Sequence, residues 1–128
     1  MERSLIWDHN KVVVSSVQEL DAMLDRLTDE AERDMPFMVV LAREDGSGLS
    51  IGVGRPVSVL SYISASLDPP YFNSRGDDTR EEPVEFLSGG EMTEFPPSSA
   101  IPTEAAREAM RYFFETGELS PHVAWEET

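Results

Sequence analysis

The chain has 128 residues, of which 40% are hydrophobic and 27% charged, a composition typical of one soluble globular domain. Its 25 acidic residues against 10 basic ones give a formal net charge of -15, which argues against direct binding to nucleic acids or anionic membranes and favours a basic partner. The lack of cysteine excludes disulfides and thiol nucleophiles, and two histidines are too few for a multi-histidine metal site. We therefore expect a single domain over residues 1–128 that needs no cofactor and no metal.

Hydropathy gives no sign of a membrane segment. The longest apolar stretch runs from Phe37 to Ala42, far short of the roughly 20 residues that cross a bilayer. The N-terminus lacks a basic segment followed by an apolar one. We expect a cytoplasmic protein.

The first part of the chain predicts a strand followed by a helix. The β-branched run from Lys11 to Val14 is typical of a strand. Ser16 and Glu19 have the spacing of a capping box, and apolar residues then recur every three or four positions. These signals predict a helix from Ser16 to Asp34.

Three strands are expected next. Phe37 to Ala42 has no polar alternation, which is typical of a strand buried on both faces. Asp45 to Gly48 is a hairpin turn sequence. Leu49 to Gly54 carries large residues on one face and small residues on the other, against which a helix could pack. Val57 to Ser64 completes a predicted meander.

The middle of the chain combines a long irregular segment with a hairpin. Leu67 to Glu82 is rich in proline, turn formers and acid, and loops of this length tend to carry function. Val84 to Ser88 and Glu91 to Phe95 flank Gly89-Gly90, a spacing that predicts a tight turn with positive φ at both glycines.

The C-terminal part predicts a second helix and a last strand. Thr103 is expected to cap a helix that extends to Thr116, with Gly117 as its left-handed C-cap. His122 to Trp125 alternates as a short terminal strand. The fold predicted is α+β, a mainly antiparallel sheet of about five to seven strands with two packed helices; a doubly wound α/β fold is the alternative.

No residue pattern predicts catalysis. A chain with 25 acids offers many carboxylate pairs by chance. The acidic run Asp77 to Glu82 lacks the alternating ligands and central glycine of a calcium loop. His9 is expected in a frayed N-terminus and His122 on the outer face of the last strand. We expect neither a catalytic nor a metal site and no enzyme, with a small hydrolase kept as a lesser alternative.

A concentration of acidic residues in the middle of the chain predicts a partner-binding surface. Between Asp68 and Glu94 there are 8 acidic residues against 2 arginines, and two adjacent aromatic residues accompany them. Aromatic residues ringed by charge are typical of interface anchors with an electrostatic rim. The predicted partner-binding residues are Tyr71, Phe72, Asp77, Asp78, Glu81, Glu82, Glu91 and Glu94. The competing surface is the acidic face of the first helix, formed by Asp21, Asp25, Asp29 and Glu32.

The C-terminal third carries a family resemblance. The residues that carry it are Phe95-Pro96, Ile101-Pro102-Thr103, the helix end Tyr112 to Gly117, Pro121, and Val123-Ala124-Trp125-Glu126. With these residues the chain resembles immunity protein family one of bacterial polymorphic toxin systems. The resemblance implies a small α+β inhibitor of a secreted toxin, and several members stand beside deaminase toxins that act on nucleic acids.

The net negative charge and the family resemblance both predict a basic toxin as the partner. A toxin domain that binds nucleic acid needs positive charge around its active site. That charge attracts an acidic inhibitor during association and complements the inhibitor's negative potential in the complex. We expect an immunity protein that covers the active site of a cognate basic toxin, with a nucleic-acid deaminase among the candidates. The alternative is an acidic nucleic-acid mimic that inhibits DNA-binding proteins.

Overall fold

The computed structural model describes residues 2–76 and 81–128, and these form eleven β-strands and two α-helices. The strands are β1 (Arg3–Trp7), β2 (Asn10–Val14), β3 (Phe37–Arg43), β4 (Gly48–Val53), β5 (Val57–Ser58), β6 (Leu60–Ile63), β7 (Phe72–Arg75), β8 (Val84–Ser88), β9 (Glu91–Phe95), β10 (Ile101–Pro102) and β11 (Ala124–Glu127). The helices are α1 (Val17–Arg33) and α2 (Thr103–Thr116), and a 3₁₀ turn covers Pro97–Ser99.

Nine of these strands form one sheet with the order β11-β7-β6-β4-β3-β1-β2, while β8 pairs with β3 and β9 pairs with β8. The ladders are antiparallel apart from one parallel pair, Phe37 with Leu87. Strands β5 and β10 form a separate two-stranded ladder. The α+β class, the antiparallel sheet and the meander β3-β4-β6 are confirmed, and the doubly wound alternative is wrong.

The sheet has more strands than expected because two segments predicted as irregular are paired. The expectation of a frayed N-terminus is wrong: β1 lies between β2 and β3, and Leu5 is fully buried. Strand β7 lies inside the predicted loop and pairs with β6 and β11. Both strands have only four or five residues, too short for a distinct alternation pattern.

One face of the sheet carries the main core and both helices. Buried leucines at one-turn spacing on α1 pack with residues of β1, β3 and β4 and with the aromatic stripe of α2. The predicted cap at Ser16 is confirmed, since its side chain accepts from the Glu19 amide. The Glu19 carboxylate also reaches back as predicted, but it accepts from the amide of Ser15, one residue before the N-cap. Helix α2 begins at Thr103 after Pro102, without the expected side-chain cap, and ends at Gly117 with φ 76° as predicted.

The other face carries a second core under the hairpin β8-β9. Its centre is Phe86, which packs with Met38, Phe95 and three smaller buried residues. The small face of β4 therefore receives this hairpin at Gly52, where the expectation of a helix is wrong. At Gly54, just after β4, a helix does pack as expected, because a methyl group built there would lie 2.6 Å from Cβ of Ala31 on α1. The turn itself is as predicted, with φ 58° at Gly89 and 85° at Gly90.

Two arginines connect the sheet to the end of α2. Nη1 of Arg3 donates to the Phe114 carbonyl at 3.0 Å, and Nη1 of Arg43 donates to the carbonyls of Phe113 and Phe114, each at 3.1 Å. Cations at this end satisfy the last carbonyls and oppose the negative end of the helix dipole. The C-terminus of α2 is thereby fixed to the ends of β1 and β3.

Candidate functional site

The two predicted aromatic anchors lie at the start of β7 and are half-buried. The Tyr71 hydroxyl donates to the Leu67 carbonyl at 2.9 Å, and the Tyr71 carbonyl accepts from the Thr128 amide. The Phe72 ring lies 6.4 Å from that of Tyr62, centroid to centroid. Part of each anchor is therefore occupied by contacts within the chain, and the rest is open to solvent.

The predicted charges are divided along the hairpin β8-β9. Glu81 and Glu82 are exposed just before β8, and Glu94 is exposed near the same end, where Val84 pairs with Phe95. Glu91 is exposed at the opposite end, beside the glycine turn. Asp77 and Asp78 lie outside the described residues. The assignment of these residues to one partner-binding surface stays a prediction.

The acidic face of α1 is partly used inside the molecule. Arg107 Nη2 donates to Asp25 Oδ1 at 2.8 Å and lies 3.5 Å from Asp21 Oδ1, and Arg111 Nε donates to both Asp21 oxygens at 3.0 Å. These pairs connect α1 to α2. Of the four carboxylates on the competing surface, Asp21 and Asp25 thus neutralise cations of the chain itself.

A cleft of about 430 Å³ lies where three segments meet: the β1-β2 turn, the end of α1 and the β8-β9 turn. We call it the acidic cleft. Its apolar lining residues are Trp7, Met35, Phe37, Met38 and Leu87, and its charged lining residues are Asp8, Glu30, Arg33 and Asp34. Asn10, Gly89 and Gly90 complete the lining.

Sequence reasoning did not select this cleft. Trp7 lies in the N-terminal segment expected to be frayed, but it is the last residue of β1 and packs against the main core. Met35 lies directly after the predicted end of the first helix, and 42% of its surface is exposed. The sequence signal for this cleft is an aromatic residue, Trp7, followed directly by Asp8. It indicates a site only when Arg3–Trp7 is recognised as a strand that ends in a turn.

Two other depressions are present in the described part of the chain, of about 290 Å³ beside the start of α2 and about 640 Å³ between α2 and β11. The first contains Arg55 and Arg107 together with Glu32 and Glu104, and the second is mostly apolar. Among the described residues, no three metal-binding side chains converge, and no helix has the length and hydropathy needed to span a membrane.

Comparison with known protein families matches residues 8–127 to the family described as Immunity protein Imm1. The matched range contains every predicted partner-binding residue and all of the acidic cleft except Trp7. It begins in the β1-β2 turn and ends within β11. A search of curated proteins gave no match.

Proposed function

Because the chain belongs to the Imm1 family of immunity proteins, we propose that it neutralises one cognate toxin by binding over the active site of that toxin. The family establishes an immunity role, which is that of an inhibitor. Beyond this role, we propose the class of the toxin and the mode of inhibition. The family match over residues 8–127 is the observation that carries the proposal.

The charge of the chain supports a basic target. The net charge is -15, and exposed carboxylates lie on α1, on β9 and on the segment before β8. A toxin that acts on nucleic acid holds its substrate with cations around the active site. An acidic inhibitor is attracted to those cations at long range and competes with the phosphates for them. We therefore propose a nucleic-acid-acting toxin, a deaminase being the first candidate.

Co-expression tests the immunity role directly. The toxin encoded beside this chain is induced in a sensitive host with and without the chain, and survival is counted. We expect survival only with the chain, together with a stable complex in size-exclusion chromatography. Failure to rescue from any adjacently encoded toxin would remove the proposal.

A second experiment separates occlusion from distortion and tests the class of toxin. Turnover of a single-stranded nucleic acid by the purified toxin is measured with increasing amounts of the chain. Occlusion predicts that substrate and chain compete for the toxin. Equally strong binding to several unrelated DNA-binding proteins would favour a nucleic-acid mimic instead.

A further inference from the structure

We infer that the acidic cleft is the docking site for a basic side chain, arginine or lysine, on a surface segment of the cognate toxin. The inference rests on the proposed function and specifies where the partner binds. Its basis is an apolar floor and a negatively charged rim in the same cleft. This combination fits a side chain with an aliphatic stem and a cationic end.

The floor provides a surface for the stem. Trp7, Phe37 and Leu87 are half-buried and line the cleft, and Trp7 and Phe37 also pack against the main core. Met35 is 42% exposed and follows the end of α1. Long basic side chains cover apolar surface with their methylene groups, and guanidinium groups stack on indole rings. An exposed methionine near a tryptophan therefore offers more contact to a basic side chain than to a small polar one.

The rim provides the opposite charge. The carboxylates of Asp8, Glu30 and Asp34 are all on exposed residues, and one cation, Arg33, lines the cleft with them. Nε of Arg33 donates to the Asp29 carbonyl at 3.3 Å, which holds this side chain back along its own helix. The negative end of the α1 dipole adds to the potential at this rim. The net lining charge is therefore negative where the apolar floor is accessible.

The walls leave room for an approaching partner. Gly89 and Gly90 form one wall, and a methyl group added at either position would meet nothing within 4 Å. Asp8 lies in the left-handed region with φ 52° in the β1-β2 turn. Its side chain is 67% exposed, and its Oδ1 lies 3.7 Å from Nε2 of the neighbouring His9. A second copy of the chain is a poor occupant, because each copy carries a net charge of -15.

The test compares two triple variants that remove the same charge. The cleft variant carries Asp8→Asn, Glu30→Gln and Asp34→Asn, and asparagine tolerates the left-handed backbone at position 8. The control carries Glu44→Gln, Glu115→Gln and Glu118→Gln, three exposed residues near Arg43 and Gly117, at the opposite end of β3 from the cleft. Thermal unfolding of both variants checks that the fold is retained.

Affinity for the adjacently encoded toxin domain, inactivated by an active-site substitution, is measured by calorimetry. We expect the cleft variant to bind at least about tenfold more weakly than the wild type, and the control to bind within about threefold. Met35→Arg supplies the cleft with an internal cation and should weaken binding without removing an acid. Equal affinities of the two triple variants would overturn the inference.

A probe independent of the toxin completes the test. A tri-arginine peptide is titrated into the isotopically labelled chain, and amide chemical shifts are followed. We expect the largest changes at Trp7, Asp8, Met35, Gly89 and Gly90, and their loss in the cleft variant. Changes spread evenly over all acidic surfaces, or a wild-type chain that dimerises through the cleft, would overturn the inference.

The failure of the inference is distinct from that of the proposed function. A wild-type chain that neither binds nor protects against the toxin overturns the proposed function. A wild-type chain that binds and protects, beside a cleft variant that does so equally well, overturns the docking site alone.

Discussion

Gly52 on β4 shows how one missing side chain positions a whole element. A methyl group built at this position would lie 2.6 Å from two ring carbons of Phe86, closer than carbon atoms can approach. Phe86 is fully buried between the sheet and its own hairpin, so the ring has little freedom to move. The close approach of the hairpin β8-β9 to the sheet therefore requires glycine here.

Gly52→Ala should lower the free energy of unfolding by about 1–3 kcal/mol, because overpacking a dense core forces the ring or the backbone to shift. Urea denaturation checks this, with Ser50→Ala on the same face of β4 as the control. Phe86→Leu should lower the free energy of unfolding less in the Gly52→Ala background than in the wild type, because the smaller side chain relieves the clash. A stability within about 0.5 kcal/mol of wild type in Gly52→Ala would contradict the clash.

A second single residue, Asp45, organises the β3-β4 turn. Its Oδ1 accepts from the amide of Ser47 at 2.9 Å and from the hydroxyl of Ser47 at 2.7 Å. These hydrogen bonds, the side-chain one first, favour the charged form and hold the pKa of Asp45 below its usual value. The turn sequence thus carries its own local stabilisation, independent of the rest of the fold.

At the scale of elements, polar contacts bring the two helices into a fixed relation. Arg107 and Arg111 of α2 reach two aspartates one turn apart on α1, and Arg107 Nη2 also donates to the Asp21 carbonyl at 3.0 Å. The side chain of Asp21 is 31% exposed and that of Arg107 is 15% exposed, so solvent screens the pairs only in part. The network supplements the apolar packing of both helices on the sheet.

Asp21→Asn should lower the free energy of unfolding by about 1 kcal/mol, since a partly exposed pair contributes less than a buried one. Asp29→Asn on an exposed turn of the same helix is the control and should change little. Denaturation in 1 M salt should reduce the difference between the two variants. Equal stabilities at low salt would show that the network does not stabilise the helix pair.

At the scale of the whole molecule, a toxin could contact the acidic cleft or the predicted partner-binding residues. The acidic cleft lies at the turn end of the hairpin β8-β9, and Glu91 follows its glycine turn directly. Glu81, Glu82 and Glu94 lie at the other end of the hairpin. A standard interface covers about 800 Å² on each partner, which is enough to extend along this hairpin. Tyr71 and Phe72 lie further away, at the start of β7.

Tyr71→Ala should weaken the toxin complex by about 2 kcal/mol, mainly through faster dissociation, if this ring is an anchor. Glu81→Gln with Glu82→Gln should instead slow association and flatten its salt dependence. Surface plasmon resonance at several salt concentrations separates the two rates. Unchanged dissociation of Tyr71→Ala, beside a weakened cleft variant, would restrict the interface to the cleft and the hairpin.

The sequence by itself determined those features that depend on local interactions. The helix cap at Ser16, the left-handed glycine after α2 and the paired glycines of the β8-β9 turn each concern residues within four positions of one another, and all three were predicted correctly. The α+β class followed from the same short-range signals. Helical periodicity and turn chemistry act through neighbouring residues, so a single sequence contains them in full.

Only the tertiary structure decided which distant residues meet. Strands β1 and β7 have too few residues to give a clear pattern and exist because their neighbours supply the hydrogen bonds and the core. The pairing of Asp21 with α2 and the packing of Phe86 on Gly52 join residues 34 to 90 positions apart. The acidic cleft depends on two turns and the end of α1, which the sheet brings together. Contacts of this kind follow from the packing of the whole chain, and no short segment contains a signal for them.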